Sequence, residues 1–407
     1  MGKVAIAKSH LCFSQDSQAL IPNDSSINPL FSLYYLSKAV QIFKYKHRGT
    51  TIAGVTKKQL SALSYPLAPL HEQHRIVARI EELFSHLDVG VQALQKAKAQ
   101  LRRYRQSVLK AAVEGRLTEA WRKEHPEVEP AEKLLERIQD EMRMKLGKKY
   151  APSKFDSESL PKLPCGWIWI SIEQIALVET GATPLRSNPK YYDGGEIPWV
   201  TSGSLNDSFV TEADEFITGL AIKETNAKVF PINALLVAMY GEGKTRGKVS
   251  ELLIEAATNQ ACAALLFEGT AETIRSYIKI FFKKNYEDIR RLSSGGVQPN
   301  LNLSIIKTTK IPLPPLKELE FIVKEIENKF TQIGEITTIL DQDLKVTDHL
   351  RQSILKRAFS GRLVPQDPTD EPASMLLERI KAERSSQIHE KTIRGRAHNT
   401  HQMRLTQ

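Results

Sequence analysis

The chain is 407 residues long and carries 57 Lys and Arg against 47 Asp and Glu, a formal net charge of +10. With 41% hydrophobic and 26% charged residues it is composed like an ordinary folded chain of two to four structural units, which excludes a mainly disordered one; its apolar runs stop at about seven residues, far short of a membrane-spanning helix. Cys12, Cys165 and Cys262 lie far apart without a CxxC pair, which argues against a disulfide scaffold or Cys-rich zinc site and fits a reducing cytoplasm, while the positive excess favours a polyanionic partner.

In chain order, residues 1–65 are turn-rich text with short apolar runs, ended by Pro66 and Pro69. Apolar residues then recur every 3.5 positions, Val77, Phe84 and Val91 on one line and Ile80, Leu87, Leu94, Leu101 and Val108 on the other. This heptad predicts a helix from about 71 to 113, about 64 Å long, that must pair along its length. Gly115 sits where such a helix closes, a shorter helix is predicted near 131–146, and 151–162 reads as a linker. Residues 163–311 hold turn text (Gly181, Pro184, Gly194, Gly195) between the short runs EIPWV, ALLVAMY and CAALLF, which predicts short strands, loops and a helix at about 271–285. After Pro312 and Pro315 a second heptad follows, with Val323, Phe330 and Leu344 on one line and Ile326, Ile333, Leu340 and Ile354 on the other; it is closed by Gly361. A helix near 372–386 and a polar tail over 387–407, expected to be disordered, complete the chain.

This order is an internal duplication. PLAPLHEQHRIVARIEELF (66–84) answers PLPPLKELEFIVKEIENKF (312–330), and RQSVLKAAVEGRL (105–117) answers RQSILKRAFSGRL (351–363), at a constant offset of 246. LLERI recurs at 134–138 and 376–380, and GKV at 2–4 and 247–249. Residues from about Leu163 to Arg246 have no counterpart. The expected fold class is therefore α+β: two mixed α/β domains, the first partial, joined by two long antiparallel coiled-coil-like helices. The expected divisions are 1–65, 66–150, 151–162, 163–311, 312–386 and 387–407, with copy one taken as N-terminally truncated.

Motifs for catalysis are weak. Ala238 to Thr245 (AMYGEGKT) fits a relaxed phosphate loop, which requires a helix starting at Lys244-Thr245; Arg246-Gly247 is a poor helix start. Asn28-Pro29-Leu30-Phe31 approaches an amino-methyltransferase motif but is also an ordinary helix opening. The ten histidines make no metal-ligating spacing, and no serine elbow occurs, so the expectation is a non-catalytic chain with no metal. Residues suited to DNA are more numerous: Thr183, Arg186, Asn188, Lys190, Tyr191, Tyr192, Trp199 and Ser202, then Lys244, Arg246 and Lys248, then Arg290, Arg291, Gln298 and Asn300. Arg, Lys, Asn and Gln match base edges and phosphates, although the same residue types fill any solvated loop.

The text PLAPLHEQHRIVARIEELF with LKAAVEGRLT, together with LPCGWIWISIEQIA, the Gly181-Ala-Thr-Pro184 turn, IPWVTSGSL and YGEGKTRGKV, resembles the specificity subunit of type I restriction–modification systems. The resemblance implies that 163–311 is a complete target recognition domain and 1–65 the remnant of another, with 66–150 and 312–386 as conserved helical spacers. It implies double-stranded DNA as ligand, separate methyltransferase and restriction subunits as partners, and S-adenosylmethionine, ATP and Mg2+ on those subunits. The chain itself is expected to need no cofactor and to be able to form a homodimer through its helical seam. The alternative is a truncated scaffold or decoy that docks methyltransferase subunits without reading DNA.

Overall fold

The computed structural model describes residues 3–14, 17–21, 26–40, 56–153, 156, 159–240, 245–268, 271–292 and 301–386, with backbone alone at 149, 271–272 and 287–292. The helices are α1 (Pro29–Ala39), α2 (Lys57–Ser61), α3 (Leu70–Val113), α4 (Glu119–Glu124), α5 (Ala131–Leu146), α6 (Gly219–Glu224), α7 (Ala271–Leu292), α8 (Leu303–Lys307), α9 (Leu316–Ala358) and α10 (373–386). The strands are β1 (Ile168–Ser171), β2 (Leu177–Thr180), β3 (Ile197–Val200), β4 (Phe209–Val210), β5 (Glu215–Ile217), β6 (Val229–Phe230), β7 (Leu235–Ala238), β8 (Val249–Leu252), β9 (Ala256–Thr258), β10 (Cys262–Leu266) and β11 (Lys310–Leu313). The duplication is structural: α2 and α8, and α3 and α9, begin 246 residues apart. Gly115 and Gly361, also 246 apart, both adopt positive φ just past the long helices (+70° and +68°), the left-handed cap that glycine takes without strain.

The chain packs as two compact units, Met1–Lys98 with Thr337–Gln407, and Ala99–Ile336. This division cuts both long helices. The physical reason is that each half-helix packs into a different core. The seam side chains Val77, Ile80, Phe84, Leu87, Val91, Leu94, Leu101 and Val108 of α3 are all buried or half-buried, as are Val323, Ile326, Phe330, Ile333, Leu340, Leu344 and Ile354 of α9.

In the first unit, Phe31 of α1 closes over Ile76, Val77 and Ile80 of α3 and Leu355 and Ala358 of α9. The helix halves run antiparallel. Arg351 pairs with Asp88 and stacks on Phe84 at 5.1 Å, while Lys98 reaches Asp341. Asn28 caps α1, its side chain accepting from the amides of Leu30 (2.9 Å) and Phe31 (3.3 Å) with Pro29 in the first turn; the Asn-Pro-Leu-Phe text is a helix start. Segments 3–14 and 17–21 are coil that exposes Ile6, Leu11, Phe13 and Leu20. Among the described residues, every strand lies within 168–313.

The second unit holds three sheets: β1-β11, β2-β10-β7-β8-β4 and β5-β3-β9-β6. Pairing is antiparallel except for β4 with β8 and β3 with β9. Strand β7 shows the period of two. Leu235 and Val237 face a core shared with Ile274, Tyr277, Ile278, Phe281 and Phe282 of α7, and Leu236 and Ala238 face a second core with Val200, Phe230 and Leu252. Val108, Leu109 and Ala112 of α3 join Leu134, Ile138 and Met142 of α5 and Leu319, Ile322 and Ile326 of α9. At that junction Glu318, 1% exposed, accepts from the Trp167 indole (2.9 Å), the Thr118 hydroxyl and the Arg122 guanidinium.

Candidate nucleic-acid interface

Strand directions collect four loops at one end of the second unit. Loops 181–196 and 259–261, and the described loop residues 239–240 and 245–248, adjoin the ends of β2, β9 and β7, at Thr180, Thr258 and Ala238; the register pairs Thr180 with Ala263 and Ala238 with Cys262. Loop 201–208 follows β3, whose Val200 lies beside Thr258. Backbone bonds knit the loops: Asn259 N to Val200 O (3.2 Å) and Met239 N to Ala261 O (2.8 Å). Gly181 passes so close to Thr258 that an added Cβ would lie 1.8 Å from its carbonyl oxygen, so only glycine fits.

The sequence-selected residues fall into two groups. Several hold the loops. Trp199 is 2% exposed and donates from its indole to Ala182 O (3.2 Å), and Ser202 is buried. Asn188 caps a short turn by accepting from Lys190 N (3.2 Å). Tyr191 donates to Glu224 (3.1 Å) and Tyr192 to Pro184 O (2.6 Å). Trp199 thus packs inside, because a large aromatic flanked by apolar Ile197 and Val200 stabilises more by burial than by display.

Others face outward. Thr183 donates to Gln260 (2.6 Å) on the rim. Arg186 makes a two-point pair with Glu215 and lies over Tyr192 (5.0 Å) and Trp199 (4.8 Å). The hydrogen bond that it donates to Glu215 raises its already high pKa, so the guanidinium is a fixed cation. Lys248 donates to Asn206 (2.9 Å). Arg246 is half-buried with an Nε that has no hydrogen-bond partner. Lys244, Gln298 and Asn300 lie outside the described residues, and Arg290 and Arg291 are described by backbone alone in α7.

Residues 245–248 form a turn, with Lys248 N bonded to Thr245 O (3.1 Å), and run into β8. A phosphate loop would need a helix there, and the described residues 245–248 are a turn instead. Cys262 is buried, its thiol pushed up to about 12 by desolvation, which leaves it unreactive. Among the described residues no cluster of metal-ligating side chains occurs, and no helix is long and apolar enough to cross a membrane.

Beside these loops α7 presents a cationic row that the loop-centred reading of the sequence missed. Arg275 and Lys279 share Glu251 (2.7 and 2.8 Å), Lys279 lies 3.5 Å from the centre of the Phe209 ring, and Lys283 donates to Ser208 (2.9 Å). Burial, with the charges of Lys279 and Arg105 nearby, holds Lys283 down to about 8. The signal was present: three cations at i, i+4 and i+8 of a predicted helix share one face.

Residues 1–98 and 164–349 match the family described as the type I restriction modification DNA specificity domain. The chain is 25% identical over 389 residues to the type I restriction enzyme EcoDI specificity subunit of Escherichia coli, covering 90% of this chain and 79% of that one. It is 26% identical over 363 residues to the EcoKI specificity subunit of Escherichia coli strain K12, covering 86% and 70%. In fold it is similar to a chain solved in work on complex assembly and conformational transition of the type I R-M system, with a TM-score of 0.58, 19% identity, and 82% of this chain and 71% of that one covered.

Proposed function

We propose, for a chain that belongs to the type I restriction modification DNA specificity family, that the loop edge of the second unit is the surface that reads DNA. The chain is a DNA-sequence specificity subunit of a type I restriction–modification system. The observation that carries the assignment of the surface is the gathering of four loops at one set of strand ends, with Arg186, Lys190, Arg246 and Lys248 among them.

Phosphate contacts position a protein on a duplex and base-edge contacts select the sequence. Lys190, Lys248 and the unpartnered edge of Arg246 suit phosphates. Thr183, Asn206 and Gln260, polar and on exposed loops, suit base edges. Trp199, Ser202, Asn188 and Tyr191 fix loop shape, and Arg186 is held by Glu215 and two rings in one orientation. The chain supplies no catalysis in this reading: methyltransferase and restriction subunits are its partners, and S-adenosylmethionine, ATP and Mg2+ act on them. The divisions at 66, 151, 163, 312 and 387, a cytoplasmic location and the capacity to pair with a second copy belong to the same proposal.

Binding of the purified chain to a randomised duplex pool, with and without its methyltransferase subunit, tests the surface. The expected result is enrichment of a defined sequence, with affinity that falls steeply with salt. Lys248→Ala should weaken all sequences alike and reduce the salt slope by about one. Enrichment unaltered by changes at Thr183, Asn206 and Gln260 would overturn the assignment.

A further inference from the structure

Helix α7 climbs toward the loop edge of the second unit beside the last two strands of the five-stranded sheet. Glu251 lies in β8 beyond Lys248, and β4 runs parallel to it with Phe209 opposite Glu251. Arg275 and Lys279 both bind Glu251 (2.7 and 2.8 Å). One turn further along α7, nearer the loop edge, Lys283 donates to the Ser208 hydroxyl (2.9 Å). From β8, Lys248 donates to Asn206 (2.9 Å). The loop end 206–208 is therefore gripped by two lysines from two elements. It is tied to β8 by Ser250 Oγ to Asp207 O (2.5 Å) and Glu251 N to Ser208 O (3.1 Å).

The cations of α7 are not in equivalent positions. Arg275 and Lys279 are nearly buried and share one nearly buried carboxylate, an ion cluster that holds the helix on the sheet. Lys283 is half-buried and donates to a neutral hydroxyl. The charged groups that act on it are Lys279 of its own helix and Arg105 of α3, both repelling, and Glu251 of β8, which already takes two cations. Burial first, then these two cations, hold Lys283 down to about 8. A half-dry ammonium on a neutral acceptor costs folding free energy, and an anion brought to it offsets both the burial and the repulsion. Lys248 likewise donates to a neutral oxygen of the same loop end.

We propose that Lys283, the Ser208 hydroxyl and Lys248 form a site for a backbone phosphate of the duplex, on DNA that flanks the bases read by the loops. Lysine is a compact point charge that takes phosphate without a fixed geometry, and such a contact adds affinity that ignores sequence. The occupant is a nucleic-acid phosphate and not an acidic protein segment, because the site is continuous with the loop edge at Asn206 and Lys248. A phosphate at the site favours the charged form of Lys283. Affinity is therefore full below pH 8 and falls as pH rises above it. The inference deepens the loop-edge reading and rests on it.

The test titrates the full chain with two fluorescein-labelled duplexes, one of mixed sequence and one of the sequence enriched from the random pool, read by anisotropy across salt and pH. Lys283→Gln should weaken both duplexes alike, about tenfold at neutral pH, and lower the salt slope by about one. Lys283→Arg should recover most of that loss. Between pH 7 and 9 the parent should lose about fivefold in affinity through this group, and Lys283→Arg, which stays charged, should not. NMR of the 13C-methylated parent keeps the test open where Lys283→Gln fails to fold. Its lysine resonance near 8 should titrate about one pH unit higher with saturating duplex, and neither inorganic phosphate nor polyglutamate at equal ionic strength should reproduce this. Unchanged affinity and slope in Lys283→Gln, a loss confined to the enriched sequence, or an equal effect of free phosphate or polyglutamate on the resonance would each overturn the proposal. A pool that enriches no sequence, while Lys283→Gln still weakens the mixed duplex, would overturn the loop-edge reading alone.

Discussion

Glu318 and Glu72 are repeat mates in opposite situations, and this difference gives a quantitative expectation. Replacing Glu318 with Ala removes the acceptor of the Trp167 indole, the Thr118 hydroxyl and the Arg122 guanidinium in a site where the carboxylate is 1% exposed. Two buried neutral donors left unmade cost about 1–3 kcal/mol each. Removing one partner of a buried ion pair alone costs about 3–5 kcal/mol. Because Arg122 keeps the Gly115 carbonyl and is partly exposed, the total should lie near 4 kcal/mol, which lowers the transition of a unit this size by roughly 10 °C. Glu72→Ala removes no hydrogen bond among the described residues and should cost under about 1 kcal/mol. Differential scanning calorimetry of the two variants and the parent measures both. Equal losses, or a larger loss at Glu72, would refute the view that Glu318 ties residues 163–180 into the junction of the second unit.

Glu72 also sets a pH dependence. Its folded pKa lies above the ordinary carboxylate value of 4.5, so the folded state binds the proton more tightly, and stability of the first unit should rise as pH falls from neutral toward that value; in Glu72→Gln this dependence should vanish from melts taken across pH 4.5–7. Lys283, held down to about 8, is uncharged in part at mildly alkaline pH. NMR of 13C-methylated lysines should find one resonance titrating near 8 that disappears in Lys283→Gln. Gly181→Ala forces a Cβ to 1.8 Å from the Thr258 carbonyl and should cost about 3 kcal/mol or more by chemical denaturation. Gly194→Ala, with open space but a φ of +69°, should cost about 1 kcal/mol. Arg186→Ala should lose about 1–2 kcal/mol, from one exposed ion pair and two ring contacts, and loosen the loop over Tyr192, visible as faster exchange of its amides.

Periodic and repeated features were legible because they follow from single-chain arithmetic. The 3.5-residue apolar period located α3 and α9, the recurrence at 246 located their mates, and the glycines at 115 and 361 marked their ends. The helix predicted near 131–146 is observed as Ala131–Leu146. Loop chemistry was less legible, since a polar or aromatic type does not reveal which way it points. Trp199 and Ser202 turn inward, Asn188 is a cap, and Arg186 is committed to Glu215, contacts that depend on residues 29 positions away or on strand register. The heptad also runs unbroken along each long helix while its packing partners change from one core to the other. The coil at 3–14 and 17–21 has strand-like text, a local signal that does not decide strand formation, because strands form only against partner strands.

Methylation mapping of DNA from cells that co-express this chain with its methyltransferase subunit tests the central claim most directly. The expected result is one methylated motif, which changes when loops 181–196, 201–208 and 259–261 are exchanged for those of another specificity subunit. A motif that survives the exchange, or methylation without any motif while the two subunits form a stable complex, would contradict the assignment of DNA reading to the loop edge of the second unit.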